Sequence, residues 1–246
     1  MLKLLITGKS GRMGQALIQA VAAADADVIV AATHDIGEDL CTAFQSADCV
    51  IDFTIHSFTP QVIETALQRG TRLVIGTTGH SDAERALIRE ASQILPIVYA
   101  SNYSVGVNLL FWLTRQAAGV LTQDRFDIEV TEMHHRHKID APSGTARRLL
   151  EILNEETRTS YQGDVAHGRC GNAGPRNTRE IGMHAMRGGD VVGDHTVIFA
   201  ADGERVELTH KASSRLTFAA GAVRAALWLQ DQPAGLYDMQ DVLQLK

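Results

Sequence analysis

The first hundred residues alternate short β-branched runs, at 2–7, 28–33, 49–53, 73–75 and 96–100, with segments of helical period. That rhythm predicts a parallel sheet crossed by helices. Ile29-Val30-Ala31-Ala32 is apolar at consecutive positions, as expected of a strand covered on both faces of a doubly wound sheet. Residues 11–24 carry Met13, Leu17, Ile18 and Val21 at helical spacing, and Ser81 followed by Glu84 predicts a capping box that opens a helix through Ser92.

After Ser104 the pattern changes. A long apolar helix over 105–121 leads into a strand in which Phe126, Ile128 and Val130 alternate with Asp127, Glu129 and Thr131, so a sheet with one exposed face is expected. Runs at 181–186, 195–200 and 205–209 read as antiparallel strands, the last two joined through a tight turn at Asp202-Gly203. The polar, Gly-rich stretch 160–179 reads as a long loop. A helix over 219–229 and a short tail, 237–245, close the chain. The first part therefore reads as a doubly wound α/β unit, and the stretch after Ser104 as a second unit built on a largely antiparallel sheet.

Twenty-three Lys and Arg stand against 29 Asp and Glu, a net charge of −6, so the overall balance attracts neither nucleic acid nor an anionic membrane. No apolar run approaches the roughly 20 residues of a membrane span. The opening run 2–7 is too short for a signal peptide and is read as a buried strand. Cys41, Cys49 and Cys170 form neither an even disulfide set nor a Cys-x-x-Cys pair, which fits a reducing cytoplasm.

Thr7-Gly8-Lys9-Ser10-Gly11-Arg12-Met13-Gly14 lies where the first strand meets the first helix, the place at which a Rossmann unit holds a dinucleotide pyrophosphate. Gly8 allows the tight turn, Gly11 the approach of phosphate, and Gly14 close packing of helix on strand; Ser10 stands where the strict pattern has its middle Gly. A Gly-rich turn without a ligand is the competing reading. Asp35, after the second strand, is the candidate for reading the adenosine ribose, against an alternative as a solvated loop acid. Lys9 and Arg12 can offset its repulsion of a 2′-phosphate, so both NADH and NADPH stay open. Gly76, Thr77 and Thr78 follow the fourth strand and Ala100, Ser101, Asn102 and Tyr103 the fifth, all at carboxyl strand ends where open α/β sheets bind ligands.

The densest chemistry is His134-His135-Arg136-His137-Lys138-Ile139-Asp140-Ala141-Pro142-Ser143-Gly144-Thr145. Three imidazoles invite a zinc reading, but Arg136 and Lys138 oppose a divalent ion and no Cys or carboxylate cluster completes a coordination shell, so no metal is expected. The better fit is an anionic substrate bearing carboxylates, met by Lys138, protonatable histidines and the helix start at Ser143-Gly144-Thr145. His134 or Lys138 can then act as general acid when a substrate accepts a hydride. A solvated basic loop is the bland alternative. Arg215, in the run 209–215, either adds a carboxylate clamp or belongs to a connector capping the next helix.

These motifs, with Val50-Ile51-Asp52-Phe53-Thr54, Gly188-Gly189-Asp190-Val191-Val192-Gly193-Asp194-His195 and the run from Lys211 to Arg215, resemble the dihydrodipicolinate reductase family along the whole chain. The resemblance implies the α/β class: a Rossmann-like, doubly wound dinucleotide-binding domain of 1–104 plus 216–246, an inserted α+β substrate-binding and tetramerisation domain of 105–215, and a homotetramer. It implies an NADH- or NADPH-dependent reduction of 4-hydroxy-tetrahydrodipicolinate to tetrahydrodipicolinate with loss of water, in diaminopimelate and lysine synthesis. By residue match, His134 is a proton donor or acceptor and Lys138 a proton donor. His135, Lys138, Gly144 and Thr145 contact substrate; Gly8 through Met13, Gly76 through Thr78 and Ala100 through Tyr103 hold the cofactor. The chain departs from the family after the second strand, where His34-Asp35 stands in place of a common acidic-then-Arg pair. The competing functions are a dehydrogenase acting on another carbonyl substrate and a non-catalytic dinucleotide sensor; no basic DNA-reading segment supports a repressor.

Overall fold

The computed structural model describes Met1–Lys246. The β-branched runs become β1 (Leu2–Thr7), β2 (Val28–His34), β3 (Cys49–Asp52), β4 (Arg72–Ile75) and β5 (Pro96–Tyr99). They are separated by α1 (Arg12–Ala22), α2 (Leu40–Phe44), α3 (Thr59–Arg69) and α4 (Asp82–Ala91). Leu4, Leu5 and Ile6 are fully buried because β1 has strands on both sides and packing on both faces. One apolar layer, with Leu17 and Val21 of α1, lies on one face; another, with Val62, Ile63, Ala66 and Ile88, lies on the other. Local chemistry sets the helix ends. Ser81 and Glu84 form the expected capping box at α4, and α3 stops at Gly70, which takes the left-handed conformation (φ 65°).

The chain divides into two units, Met1–Val105 with Arg215–Lys246, and Gly106–Ser214. The second contains most of α5 (Val105–Val120), then β6 (Asp127–His134), α6 (Gly144–Thr157), α7 (Tyr161–Asp164), β7 (Val165–His167), β8 (Ile181–Arg187), β9 (Gly193–Ala201) and β10 (Glu204–Ala212). Its five strands lie in the order β10-β9-β6-β8-β7. Ile128, Val130, Leu149, Leu150, Leu153, Val197 and Phe199 form the core between sheet and helices. Along β6 every second residue is buried and the others are half-buried, the alternation expected of a sheet with one open face.

Two expectations need correction here. The strand at 181–187 is not antiparallel to its neighbour; β8 runs parallel to β6, while β9 and β10 are antiparallel. The intervening segment contains α6, a crossover that brings the chain back to the same end of the sheet, as parallel pairing requires. Nor is 160–179 all loop: α7 and the edge strand β7 begin it, four and three residues long, too short to show a period.

The chain then returns to the first unit through α8 (Leu216–Trp228), β11 (Gly235–Tyr237) and α9 (Met239–Val242). β11 adds a sixth strand, giving the all-parallel order β11-β5-β4-β3-β1-β2, with the reversal of order at β1. That reversal puts the carboxyl ends of β1 and β3 side by side at the customary ligand crevice of such sheets. α8 approaches this edge closely because Gly221 lies on the Tyr103 carbonyl; a Cβ there would come within 1.8 Å of the oxygen.

Candidate active site

In the first unit the turn between β1 and α1 is made of bare backbone. Gly8 is left-handed (φ +69°), and a Cβ on Gly14 would lie 2.1 Å from the Gly8 carbonyl oxygen, so the helix starts against the turn itself. Gly11 is the N-cap, no side chain caps it, and no acidic residue occupies the first turn of α1. An uncapped helix start framed by glycine backbone fits the pyrophosphate of a dinucleotide. Lys9 is half-buried and paired with Glu38, Ser10 and Arg12 are exposed, and Met13 packs against the core.

The residues after β2 divide by burial. His34 is buried, stacked on Phe58 at 5.4 Å with a ring nitrogen 3.0 Å from the Glu38 carbonyl, so it belongs to the core. Asp35 reaches the glycine turn, where its carboxylate accepts the Ser10 amide (2.9 Å) and the Ile36 amide (3.0 Å). Hydrogen bonds from Ser10 and Ile36 hold its carboxyl below the ordinary range. Glu38, not singled out from sequence, accepts both the Asp35 amide (2.8 Å) and the Lys9 ammonium.

The other strand ends converge on Asp52, fully buried at the end of β3. It accepts hydrogen bonds from the hydroxyls of Thr7 (2.6 Å), Thr54 (2.7 Å) and Thr77 (3.0 Å), tying the ends of β1, β3 and β4 together. Gly76 lies over the Phe53 ring, which a Cβ would meet at 2.2 Å; Thr77 is buried and Thr78 exposed. Ala100 is half-buried and Ser101 exposed, while Asn102 accepts the Ser104 amide (2.9 Å). The Tyr103 side chain is a core strut, its phenol 3.0 Å from the carbonyls of both Ile75 and Val98 and pushed well above its ordinary pKa by burial.

In the second unit the basic run leaves the end of β6. Its connection is pinned by the Gly188 amide on the His134 carbonyl (2.9 Å) and by Arg187 on the Asp140 carbonyl (2.6 Å), and the Ala141-Pro142 peptide is cis. Lys138 is ion-paired with Asp140 at 2.8 Å. Ser143 is the N-cap of α6, its hydroxyl accepting the Ala146 amide (3.2 Å), and Gly144 and Thr145 form the first turn. His135 is half-buried, with its ring 6.3 Å from that of His137. His134 is instead turned into the molecule, 8% exposed.

Beneath His134 lies a carboxylate missed from sequence. Glu132 is 1% exposed; its Oε1 accepts the Ser143 amide (3.0 Å) and the Arg187 guanidinium (2.9 Å), and its Oε2 lies 3.0 Å from His134 Nδ1. Burial opposes its ionisation, but His134, Ser143 and Arg187 outweigh burial and hold its carboxyl down at about 2. His195 packs edge-on to His134 with ring centres 5.1 Å apart, and its Nε2 is 3.1 Å from the Ser143 hydroxyl. Burial, and then the neighbouring His134, push its pKa down to about 4, so it is neutral at pH 7. The signal that finds Glu132 is the alternation itself: continued past Ile128 and Val130, it puts Glu132 and His134 on the buried face.

Glu132, His134 and His195 each offer a ligand atom within 4.8 Å of the others. Arg187, bound to the same carboxylate, places a fixed cation there that works against a divalent ion.

Comparison with known proteins covers both units. Residues 2–103 match the model described as dihydrodipicolinate reductase, N-terminus, and residues 106–243 the model described as dihydrodipicolinate reductase, C-terminus. The 4-hydroxy-tetrahydrodipicolinate reductase of Akkermansia muciniphila is 60% identical over 245 residues, spanning 100% of this chain and 99% of that protein. The enzyme of the same name from Magnetococcus marinus is 46% identical over 267 residues, again 100% and 99% of the two. A solved dipicolinate-bound dihydrodipicolinate reductase from Paenisporosarcina sp. TG-14 has the same fold, with a TM-score of 0.81, 22% identity and 98% of each chain covered.

Proposed function

The chain belongs to the dihydrodipicolinate reductase family, and on that premise we propose how its residues carry the reaction. The reaction is the NAD(P)H-dependent reduction of 4-hydroxy-tetrahydrodipicolinate, with loss of water, to tetrahydrodipicolinate, in diaminopimelate and lysine synthesis. The reductant is a nicotinamide cofactor, which supplies a hydride when bound. The turn from Gly8 to Met13 holds its pyrophosphate, and the strand-end residues Gly76, Thr77, Thr78, Ala100, Ser101, Asn102 and Tyr103 form the bed for the rest of it. Asp35 reads the adenosine ribose, and Asp35 and Glu38, with Lys9 neutralised by Glu38, favour NADH over NADPH because a 2′-phosphate would meet carboxylates.

In the second unit, the first turn of α6 at Gly144 and Thr145 binds one substrate carboxylate and His135 and Lys138 the dicarboxylate's remaining charge. Lys138 leaves Asp140 to donate the proton that completes reduction of the substrate's unsaturated ring, and His134 exchanges protons at its Nε2 side. The carrying observation is that His134, Lys138 and the Ser143-capped start of α6 share one connection, fastened at its start by the Gly188 amide on the His134 carbonyl and at its far end by Arg187 on the Asp140 carbonyl and Glu132 on the Ser143 amide. The half-buried outer face of β6, bearing Asp127, Glu129, Thr131 and Met133, supports assembly as a homotetramer through this sheet.

The test is turnover with NADH and, separately, NADPH, on substrate made in place by the preceding synthase from pyruvate and aspartate semialdehyde, following reduced-nicotinamide absorbance. Rapid loss with NADH, slower with NADPH, is expected. No loss with either, with cofactor binding intact, would overturn the assignment.

A further inference from the structure

Three buried polar groups of the second unit converge without ideal partners. Glu132 Oε2 and His134 Nδ1 lie 3.0 Å apart although the ring N–H does not point along the line, and His195 Nδ1 has no hydrogen-bond partner. Glu132 is the only carboxylate among them, and all its other contacts are donors: the Ser143 amide and Arg187, both on Oε1. An ionised carboxylate only accepts hydrogen bonds. Without a proton on Nδ1 two acceptor atoms would stand 3.0 Å apart, whereas an N–H there, even off the line, is attracted by the carboxylate, so the neutral ring keeps its proton on Nδ1 and leaves its lone pair on Nε2.

The wall beside Nε2 is built to match. Gly193 stands there, and a Cβ at that position would come within 3.0 Å of the nitrogen. His195, neutral, faces the ring edge-on and takes up the Ser143 hydroxyl rather than the carboxylate, from which its Nε2 is 3.8 Å away. The charged groups around the pair are Arg187 from β8 and Lys138 and Asp140 from the connection, and Arg187 and Lys138 have carboxylate or carbonyl partners of their own.

We infer that Glu132 is a positioning residue for the reduction, fixing His134 as the Nδ1–H tautomer with Nε2 presented for proton exchange while the same carboxylate anchors the start of α6 through Ser143. The inference rests on the proposed proton-transfer role of His134. Carboxylates that orient a working imidazole do so in this way, and losing the carboxylate that orients a metal-bound imidazole typically lowers activity about 10–100-fold, the scale expected here.

Glu132→Gln makes a sharp test because its amide has only one sensible orientation. The Ser143 amide and Arg187 demand an acceptor, so the carbonyl oxygen takes the Oε1 place and the NH2 faces His134 Nδ1. A donor there reverses the tautomer. In 15N-resolved NMR of the imidazoles at alkaline pH, the wild type should show His134 protonated at Nδ1, and Glu132→Gln should show it at Nε2. The variant's kcat should fall about 10–100-fold with KM for substrate little changed.

Wild-type His134 protonated at Nε2 would overturn the inference without recourse to any variant. So would an unchanged tautomer or an unchanged kcat in a folded Glu132→Gln protein. His134→Gln separates the two claims: full activity there would defeat the role of His134, whereas loss there with an indifferent Glu132→Gln would defeat only the role of Glu132.

Discussion

The two units each place a helix start where an anion is proposed to bind, and they build it in opposite ways. At α1 the cap is Gly11, no side chain closes the first turn, and shape comes from glycine backbone pressed against Gly8. At α6 the cap is Ser143, its hydroxyl on the Ala146 amide and its own amide on the buried Glu132, which in turn holds Arg187 and faces His134. On the proposed reading, the first start only has to hold a group that keeps its charge throughout. The second is joined to groups that can move protons. A site that only holds can be made of backbone, whereas a site that reacts needs side chains whose charge and orientation are fixed by others.

Lys138→Ala attacks the reacting side of this contrast most severely. General acid catalysis is worth about 10²–10⁴ in rate, so kcat should fall by at least that range while cofactor affinity is kept. Gly14→Ala attacks the holding side. Its Cβ would sit 2.1 Å from the Gly8 oxygen, and overpacking of about 1–3 kcal/mol should appear as roughly 5- to 150-fold weakening of cofactor binding, measured by calorimetry. Gly11→Ala, where the same oxygen is 3.2 Å away, should weaken it less.

Ser143→Ala removes a side-chain cap and should lower stability by about 1 kcal/mol in denaturant titration, with KM for the dicarboxylate raised; at Gly11 there is no such cap to remove. The smallest effect is in pH dependence. His195 has a folded pKa of about 4 against an ordinary 6.5, so the unfolded chain binds more protons between these values. Its contribution is complete above pH 6.5 and is lost as pH falls through 4; Glu132, held at about 2 from 4.5, extends the loss to lower pH in the same direction. Unfolding free energy measured from pH 7 to 4 should decline, and His195→Gln should flatten that decline.

How far these features can be read from sequence follows the same division. Contiguous signals carried the first unit: the apolar strands, the Ser81–Glu84 box and the glycine turn are each local, and each governs the backbone directly. The parallel sense of β8 and the short α7 and β7 depend on where α6 returns the chain, which no local pattern records. In the second site His134 and Lys138 stood out as a dense run, but Arg187 and His195 come from strands far along the chain, and Glu132 sat at the end of a run read as ordinary alternation. A charged residue at a buried strand position is the one local sign of such a partner. Asp52 is the parallel case in the first unit, collecting Thr7, Thr54 and Thr77 from three strand ends.

The most direct test is a calorimetric titration of NADH into Gly14→Ala and Lys138→Ala proteins alongside the wild type. Cofactor binding should be weakened in Gly14→Ala and equal to wild type in Lys138→Ala, the protein whose turnover has collapsed. Normal binding by Gly14→Ala, or an equal loss in both, would contradict the division between a backbone site that holds the cofactor and a side-chain site that handles the substrate.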